Sequence, residues 1–444
     1  MKISRLPRDP GPAGWNSILP EAKPAEPLAH DITADWLVIG AGFAGLAAAR
    51  RLAQLCPADR IVVLEASRVG EGPAGRNSGF MIDLPHDLAS ENYGGKLAED
   101  RAQIEDNRRA IAFAAEMAQE FGLSQEAFAQ SGKINAAASP KGDQHNRDFA
   151  SHLSALSEPY EMLDAHDMRE LCGSAYFSGG LFTPNAAMIQ PALFVRGVAS
   201  GIQTNRVRLY ELSPVTSLTR EGPDWVAGTP SGQVTAPRVI LAVNGHLQSF
   251  GHMRGRLMHV FTYASMTRAL TPGECQTLGG APSWGVTPAD PLGTTVRRIS
   301  GTGGDRIVIR NRFTFDPSMA VSDARIAAVG RDHDRSFAAR FPMLPAIEME
   351  YRWGGRLCLS YNNVQVVGEL EEGVWSACCQ NGLGTAKGTL AGLLAAEAAD
   401  GVGSAALERV SGSALPKKLP PAPLAQVAAN TRLRWGEWRA GREF

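Results

Sequence analysis

Three glycines near the start of the chain have the spacing of a nucleotide-binding turn. Gly40, Gly42 and Gly45 follow the apolar run WLVI and open an Ala- and Leu-rich segment, in the pattern G-x-G-x-x-G. The first glycine of such a turn permits a tight bend, the second lets the backbone approach a pyrophosphate, and the third allows close helix–strand packing. Phe43 and Ala44 would begin the helix whose N-terminus faces the phosphates.

A second apolar run, IVVL, is followed directly by Glu65 and Ala66, and Glu65 stands 20 residues after Gly45. Strand, helix and second strand form a βαβ unit, and a carboxylate at this point can accept hydrogen bonds from a ribose. The motif alone does not distinguish NAD from FAD. The glycine-rich loop that follows favours FAD, because exposed backbone N–H groups and small side chains suit the polar edge of an isoalloxazine. Its candidate cofactor-binding residues are Arg76, Asn77, Ser78 and Gly79.

Three later segments have patterns that predict further strands of the same sheet. The runs 207–215, ending at Val215, and 239–245, with a turn at Asn244 and Gly245, predict strands that return beside the βαβ unit. The segment GVWSACCQNGLGTAKG predicts a further strand, a glycine turn and a helix. Unless this is a plain strand-turn-helix, the helix N-terminus points at the cofactor and stabilises negative charge at the N1–C2=O edge of a reduced flavin. Its candidate cofactor-binding residues are Gly382, Leu383, Gly384 and Thr385.

The remaining segments predict a second structural unit. Apolar residues between positions 96 and 122 recur at helical spacing, which predicts a long amphipathic helix. From 251 to 349, β-rich runs alternate with Gly and Pro turns, which is typical of an antiparallel sheet. We therefore expect an α/β protein with a Rossmann-type FAD-binding domain and a second, mixed-sheet α+β substrate domain.

The expected ranges are discontinuous in sequence, because the cofactor motifs are separated by the segments assigned to substrate binding. They are an N-terminal arm (1–30), an FAD-binding domain (31–95, 185–250 and 345–410), a substrate domain (96–184 and 251–344) and a C-terminal tail (411–444).

Composition excludes several classes of function. The 444 residues carry 44 Lys and Arg against 45 Asp and Glu, which argues against nucleic acid or an anionic membrane as a partner. The cysteines lack the spacing of a metal site, so we expect reduced thiols, no metal and a cytoplasmic location. No apolar run approaches the roughly 20 residues of a membrane span. No lysine occurs between Lys141 and Lys387, so we expect no ammonium group in the active site.

Together these motifs resemble the D-amino-acid oxidase and sarcosine oxidase superfamily, and most closely its gamma-glutamylputrescine-oxidase-like branch. The matching stretches are GWNSILP, DWLVIGAGFAGLAAARRL, VVLEASRVGEGPAGRNSGF, AMIQPALFVRGV, VILAVNGH, YRWGGRL and QNGLGTAKGTLAGLLAAE. The resemblance implies tightly bound FAD and oxidation of a carbon–nitrogen bond in a small primary or secondary amine. Hydride would pass to flavin N5, the imine would hydrolyse, and oxygen would be reduced to hydrogen peroxide.

The resemblance also directs attention to residues near the flavin. Gly355 lies in YRWGGRL, and Cys358 falls where the monomeric sarcosine oxidase branch has a cysteine bonded covalently to the flavin ring. A buried, unreactive thiol is the more common role for such a residue. In that superfamily a lysine near N5 serves oxygen reduction, and either a protonated His259 is its substitute here or oxygen is not the acceptor. A surface or core histidine with satisfied hydrogen bonds is the more common role for such a residue.

Further catalytic candidates lie on the expected substrate sheet. Arg310 and Arg312 alternate along one strand, so we expect them on one face, where Arg310 would bind a substrate carboxylate. Solvated ion pairs are the more common role of arginine in a chain this rich in it. Tyr263 and Trp353 would wall the site, although aromatic residues in apolar strands are more often core.

Two other functions stay open at this point. The first is a dehydrogenase of the same fold that passes electrons to a quinone or carrier protein, which the scarcity of lysine favours. The second is a noncatalytic flavin-binding subunit, against which the intact NGLGTAK and YRWGG stretches argue.

Overall fold

The computed structural model describes residues 2–85 and 94–444. Residue 1 and residues 86–93, which fall in the expected ranges 1–30 and 31–95, lie outside the described residues. In chain order the strands are β1 (Ile32–Thr33), β2 (Trp36–Ile39), β3 (Ile61–Leu64), β4 (Phe80–Met81), β5 (Phe128–Ala129), β6 (Lys133–Ala137), β7 (Glu161–Leu163), β8 (Gly179–Thr183), β9 (Ala187–Ile189), β10 (Val207–Tyr210), β11 (Ser217–Glu221), β12 (Asp224–Gly228), β13 (Gln233–Ala236), β14 (Arg238–Leu241), β15 (Leu257–Thr267), β16 (Trp284–Pro288), β17 (Thr295–Ile299), β18 (Arg306–Phe315), β19 (Met349–Ser360), β20 (Val366–Glu371) and β21 (Val374–Cys378).

The α-helices connect and cover these strands. They are α1 (Gly14–Ser17), α2 (Phe43–Leu55), α3 (Leu97–Glu120), α4 (Pro140–Leu156), α5 (Ala165–Cys172), α6 (Pro191–Gly201), α7 (Pro272–Leu278), α8 (Asp323–Arg340), α9 (Ala386–Ala399), α10 (Ala405–Ser411) and α11 (Ala422–Ala440). Across residues 2–85 and 94–444, none of these helices has the length and apolar character needed to cross a bilayer.

A six-stranded sheet in the order β10-β3-β2-β14-β21-β20 forms the Rossmann-type half of the molecule. Its strands are parallel except β20, which runs antiparallel to β21. β2 and β3 are buried at every position, as expected for parallel strands covered on both faces. α2, α3 and α9 pack together in the apolar core on one face of this sheet. The Rossmann-type α/β prediction is therefore confirmed.

An eight-stranded mixed sheet in the order β19-β15-β18-β17-β16-β6-β8-β7 forms the other half. Its pairs are antiparallel except β16 with β6. β19 pairs with β15 along almost its whole length, so residues 349–360 belong to this sheet although they fall in the range 345–410 expected for the FAD-binding domain. A four-stranded sheet (β1-β13-β12-β11) and a three-stranded sheet (β4-β9-β5) complete the described architecture.

A β-bulge in β18 overturns the expectation that Arg310 and Arg312 share a face. The register with β15 shifts at Arg312, which has no partner across the ladder and a φ of 63°. One extra residue reverses the alternation of side chains beyond it. Arg312 therefore forms ion pairs with Asp332 and Glu437 on one side of the sheet. Arg310 lies on the other side, 4.6 Å from the centroid of the Phe313 ring.

The C-terminal helix α11 covers the part of β18 that lies beyond the bulge. β17 pairs only with residues 306–310, which leaves the following backbone groups without a strand on that side. Glu437 Oε1 accepts the N–H of Phe313 at 3.1 Å. Asn430 accepts the N–H of Phe315 at 2.9 Å and donates to its carbonyl at 3.0 Å. Side chains of α11 thus replace a neighbouring strand.

Removing the hydrogen bonds that α11 side chains make to β18 should destabilise the protein. Glu437→Ala leaves the Phe313 N–H unpaired and removes a buried carboxylate from Arg312 and Arg434, so we expect a loss of about 2–4 kcal/mol in the free energy of unfolding. Denaturant unfolding of the purified protein measures it. Arg432→Ala, on an exposed position of the same helix, is the control and should change stability by less than about 0.5 kcal/mol. Equal effects of the two substitutions would contradict this role for α11.

Candidate functional site

One cavity runs between the carboxyl ends of the parallel strands and the face of the eight-stranded sheet. Ligands of doubly wound sheets bind at this position because the turns after the strands leave a crevice there. Most of the residues expected to bind cofactor line this cavity. They are Gly40, Gly42, Phe43, Ala44, Glu65, Ala66, Asn77, Ser78, Val215, Asn244, Gly245, Cys358, Gly382, Leu383, Gly384 and Thr385.

Two of the expected cofactor-binding glycines shape the walls of the cavity instead of lining it. A Cβ on Gly45 would overlap the carbonyl oxygen of Gly40, so a side chain there would force α2 away from β2. Gly79 lies against the guanidinium of Arg297, which donates to the carbonyls of Ser78 and Gly79 at 3.2 Å each. Both residues act by allowing close approach of neighbouring chain segments.

Arg76 and Gly355 also lie outside the cavity lining, where they fasten the glycine-rich loop to β19. The Arg76 guanidinium donates to the carbonyls of Pro10 and Gly354 at 3.0 and 3.2 Å. A Cβ on Gly355 would stand 3.3 Å from the carbonyl oxygen of Arg76. The two residues therefore hold the loop in place, and no direct contact with a ligand follows from their positions.

The turn after β2 has the form that a pyrophosphate requires. Gly40 has a φ of +105°, and a Cβ there would stand 2.7 Å from the carbonyl oxygen of Ala242. A Cβ on Gly42 would have one neighbour within 4 Å, the Ala74 Cβ at 3.4 Å. Backbone at Gly42 is therefore open to a ligand in the cavity.

The N-termini of two helices meet at this turn. α2 begins after Gly42 and α9 begins after Thr385, and neither residue caps its helix with a side-chain hydrogen bond. The N–H groups of a first helical turn and the helix dipole together favour an anionic ligand. Both helix starts border the cavity. The start of α2 at the glycine turn fits a pyrophosphate, whereas the start of α9, where the Thr385 hydroxyl donates to the Phe80 carbonyl at 2.6 Å, lies beside the glycine-rich loop expected to hold the isoalloxazine.

Glu65 occupies the position expected for a ribose acceptor. Its Oε2 accepts the N–H of Ala41 at 2.9 Å, and its Oε1 accepts the N–H of Ser67 at 3.1 Å. Burial raises the pKa of this carboxyl, while the two backbone hydrogen bonds oppose that effect. The carboxylate is thus fixed in place beside the glycine turn.

The Cys358 thiol lies on the cavity wall beside two other buried cysteines. A hydrogen bond with Cys379 and burial raise the pKa of Cys358 well above its ordinary value. The sulfur therefore stays protonated at neutral pH, and a protonated thiol is a poor nucleophile. This environment favours the unreactive role over a covalent bond to flavin.

The eight-stranded sheet presents a polar row to the cavity. Thr295 and Arg310 are direct partners on β17 and β18. The ladder step after the Val286–Val296 pair places Thr287 of β16 beside Thr295. Thr287, Thr295 and Arg310 all line the cavity. Of the four expected catalytic residues, Arg310 is the one that the structure brings to the cavity wall.

Tyr263 and Trp353 lie in the core instead. Tyr263 is 1% exposed and packs against α8. Its hydroxyl forms a hydrogen bond of 2.6 Å with the Thr314 hydroxyl, and burial raises the pKa of Tyr263 to about 12. Trp353 is fully buried and donates its indole N–H to the Arg76 carbonyl at 3.0 Å. Neither side chain lines the cavity, so the expectation that they wall the site is wrong.

His259 is buried behind the turn at Gly245. Burial and the positive charges of Arg356 and Arg5 lower its pKa to about 3, so the ring is neutral at physiological pH. This contradicts the expectation of a protonated His259. The Gln248 amide donates to Nε2 at 2.6 Å, which leaves the proton on Nδ1. Among the described residues Nδ1 has no hydrogen-bond partner.

An ammonium group does reach this part of the molecule, from outside the lysine-free interval. Lys133 of β6 is buried, and its Nζ donates to Asn135 and, at 3.2 Å, to the cavity-lining Thr287 hydroxyl. Burial lowers its pKa to about 8, opposed by the charge of Asp83. Lys133 does not itself line the cavity, and the sequence did not indicate its position, because the parallel β6–β16 pairing brings a strand from before Lys141 beside the cavity.

Sequence reasoning also missed residues of the N-terminal arm and of β19. Ile3, Arg5, Leu6, Pro7 and Asp9 line the cavity, as does Arg356. Arg356 could have been predicted from the sequence, since it follows Gly355 in the YRWGGRL stretch. The arm offers no comparable signal, because extended, Pro-containing chain has no periodic pattern. Among the described residues, no three His, Cys, Asp or Glu side chains form a group that could hold a metal ion.

A Rossmann-type sheet with two helix N-termini and a terminal acid, faced by a second sheet with a polar row, is typical of a dinucleotide-binding protein. The model of the DAO family, described as FAD dependent oxidoreductase, matches residues 35–398. The chain therefore belongs to this family and is an FAD-dependent oxidoreductase. The resemblance stated from the motifs is confirmed.

Relatives of known sequence agree with this assignment. The chain is 27% identical over 396 residues to gamma-glutamylputrescine oxidoreductase of Escherichia coli, covering 84% of this chain and 85% of that protein. It is 25% identical over 382 residues to the probable oxidoreductase OrdL of Haemophilus influenzae, covering 84% of each.

Solved structures share the fold. Glycine oxidase from Geobacillus kaustophilus superposes with a TM-score of 0.68 at 19% identity, over 84% of this chain and 96% of that one. L-proline dehydrogenase from P. horikoshii gives a TM-score of 0.64 at 16% identity, over 86% and 96%.

The open backbone at Gly42 yields a test of the cofactor turn. A methyl group in Gly42→Ala would project toward the ligand while meeting little protein, so we expect FAD affinity to fall roughly tenfold or more with little change in thermal stability of the apoprotein. Titration of apoprotein with FAD, followed by flavin fluorescence, measures the affinity. Gly273→Ala, where an added Cβ meets nothing within 4 Å, is the control. Unchanged FAD affinity in Gly42→Ala would contradict the assignment of this turn to the pyrophosphate of FAD.

Proposed function

We propose that this protein is an FAD-dependent oxidase of a small primary or secondary amine, or amino acid, that carries an acidic group. When bound, FAD supplies the hydride acceptor for the carbon next to nitrogen, and oxygen then takes the two electrons. The balanced reaction converts an amine and O₂ to an imine and H₂O₂, and water hydrolyses the imine.

The observation that carries this proposal is the position of Arg310. Its guanidinium belongs to a polar row that faces the cavity in which the cofactor residues also lie. Arginine presents donors in a fork that matches a carboxylate. A substrate held there by its acidic group would place its amine end toward the flavin-binding residues.

Neighbouring groups support an anionic substrate at this end of the cavity. Lys133 adds positive charge behind Thr287, and Thr287 and Thr295 offer hydroxyl groups beside Arg310. Asp83 lies near Lys133 but is itself paired with Arg108 at 3.0 Å. The names of the relatives agree in kind, since glycine oxidase and gamma-glutamylputrescine oxidoreductase are named for amino compounds.

The protein's own part in the reaction is to position and to enclose. The helix start at Gly42 would hold the phosphates, Asn77, Ser78 and Leu383 would contact the ring system, and the helix start at Thr385 would face the polar edge of that ring system. Enclosure between the two sheets excludes water from the reacting carbon. We also propose that FAD is held tightly but without a covalent bond, given the protonated Cys358, and that the free thiols reflect a cytoplasmic location.

A dehydrogenase that passes electrons to a quinone or carrier protein is the second candidate. The neutral His259 favours it, because this ring does not supply the cation expected to assist oxygen reduction, and Lys133 lies behind Thr287 without lining the cavity. A noncatalytic flavin-binding subunit is less well supported, since the polar row beside the cofactor cavity would then have no role.

A titration of the purified flavoprotein separates these functions. Amines, amino acids and N-methyl amino acids are added without oxygen, and bleaching of the flavin absorbance identifies substrates. Air is then admitted and peroxide is measured. Fast recovery with one peroxide per amine is the expected result, whereas slow recovery would establish the dehydrogenase. Acid precipitation of the same sample should leave the flavin in solution; flavin in the pellet would contradict noncovalent binding.

Arg310→Ala tests the carboxylate site. Loss of charged hydrogen bonds should raise KM for an acidic amine roughly 10- to 100-fold and leave KM for a neutral amine within about twofold. Steady-state kinetics on a matched pair of substrates measures the difference, and Arg310→Lys should recover part of the affinity. If both substrates respond alike, Arg310 does not recognise a carboxylate.

A further inference from the structure

The first nine described residues of the N-terminal arm cross the cofactor cavity while fixed at both ends. At one end the N–H of Ile3 donates to the Thr216 carbonyl at 2.7 Å, and Lys2 forms an antiparallel bridge with Ser217. At the other end the Pro10 carbonyl accepts the Arg76 guanidinium at 3.0 Å and the Gly354 N–H at 3.2 Å. The arm therefore connects the Val215 side of the cavity with the glycine-rich loop.

Between these anchors the arm contributes directly to the cavity wall. Ile3, Arg5, Leu6, Pro7 and Asp9 line the cavity, and Arg8 does not. The family match begins at residue 35, so this part of the wall comes from outside the matched domain. A ligand in the cavity would lie between the arm and the turn at Gly42.

The arm also places charged groups against the cavity. Burial is the main cause that lowers the pKa of His246 and of His259, beside the turn that contains Gly245, and the positive charges of Arg356 and Arg5 add to the effect on both rings. Asp9 is largely buried beside Arg356 and Arg76, and burial raises its pKa. Its Oδ1 has no hydrogen-bond partner among the described residues.

These two groups suit different parts of FAD. A guanidinium is attracted to the two phosphates. A buried carboxyl oxygen without a partner needs a donor, and the ribityl and ribose hydroxyl groups of FAD are such donors. The stiff Pro7 and Pro10 reduce the entropy that ordering of the arm costs.

We propose that residues 3–9 are part of the FAD site, and that the arm holds the bound cofactor so that FAD leaves only when the arm detaches. Arg5 and Asp9 are the residues of the arm that contact the cofactor. The arm is held by few hydrogen bonds, at its two ends and from the exposed Arg5 guanidinium to the Pro317 carbonyl at 3.5 Å, so its detachment is a local event, easier than global unfolding. This proposal rests on FAD binding by the family and is independent of which amine is oxidised.

The test measures FAD release from the holoenzyme, with no substrate present. Purified holoenzyme is mixed with an excess of an unrelated apoflavoprotein that captures free FAD, and the transfer is followed by fluorescence. Deletion of residues 2–9 should speed release roughly tenfold or more, and Arg5→Ala and Asp9→Ala should each speed it roughly three- to tenfold. Arg8→Ala, in the same segment but off the cavity wall, should stay within about twofold of the unmodified protein.

Release at the unmodified rate from both the deletion variant and Arg5→Ala would overturn the proposal. Tighter FAD binding after the deletion would also overturn it, because the arm would then obstruct the site. If the deletion variant fails to fold, the comparison of Arg5→Ala with Arg8→Ala decides: equal release rates contradict the proposal, and faster release from Arg5→Ala alone supports it. A failure to find any amine substrate would leave these rates unaffected.

Discussion

The contact between the backbone of Gly45 and the carbonyl of Gly40 sets the geometry on which the cofactor site depends. No side chain fits between them, so α2 can begin directly against the end of β2. That approach points the first turn of α2 into the crevice and brings it beside the start of α9. The same crevice receives Glu65 from β3 and the turn after β14. One close packing contact thus aligns groups from four separate stretches of chain.

The register between strands of the eight-stranded sheet places its polar side chains together at the cavity. Because Thr295 faces Arg310 across β17 and β18, and Thr287 follows on β16, three short polar segments form one row. The bulge at Arg312 is part of this arrangement, since it lets β18 present Arg310 to the cavity and Arg312 to α8 and α11. A regular strand would place both guanidinium groups on one side and take Arg312 away from Asp332 and Glu437.

The cofactor half of the site was predictable because its signals are local. Gly40, Gly42 and Glu65 lie within one βαβ unit, whose spacing follows from the dimensions of strand, helix and turn. The substrate half was not, because it depends on long-range pairing. The register between segments that are distant in sequence determines three features of that half, and no local residue pattern predicts it. They are the bulge at Arg312, the core positions of Tyr263 and Trp353, and the position of Lys133 on a strand that pairs in parallel with β16.

The C-terminal helix has a consequence for how the protein behaves in a crowded solution. Beyond the bulge, β18 offers N–H and carbonyl groups of the kind that recruit a strand from another molecule. Asn430, Arg434 and Glu437 occupy those groups with side chains from the same polypeptide. Side chains of α11 thereby occupy the side of this strand on which a foreign strand would add, so we expect that removal of α11 would expose an edge open to strand pairing.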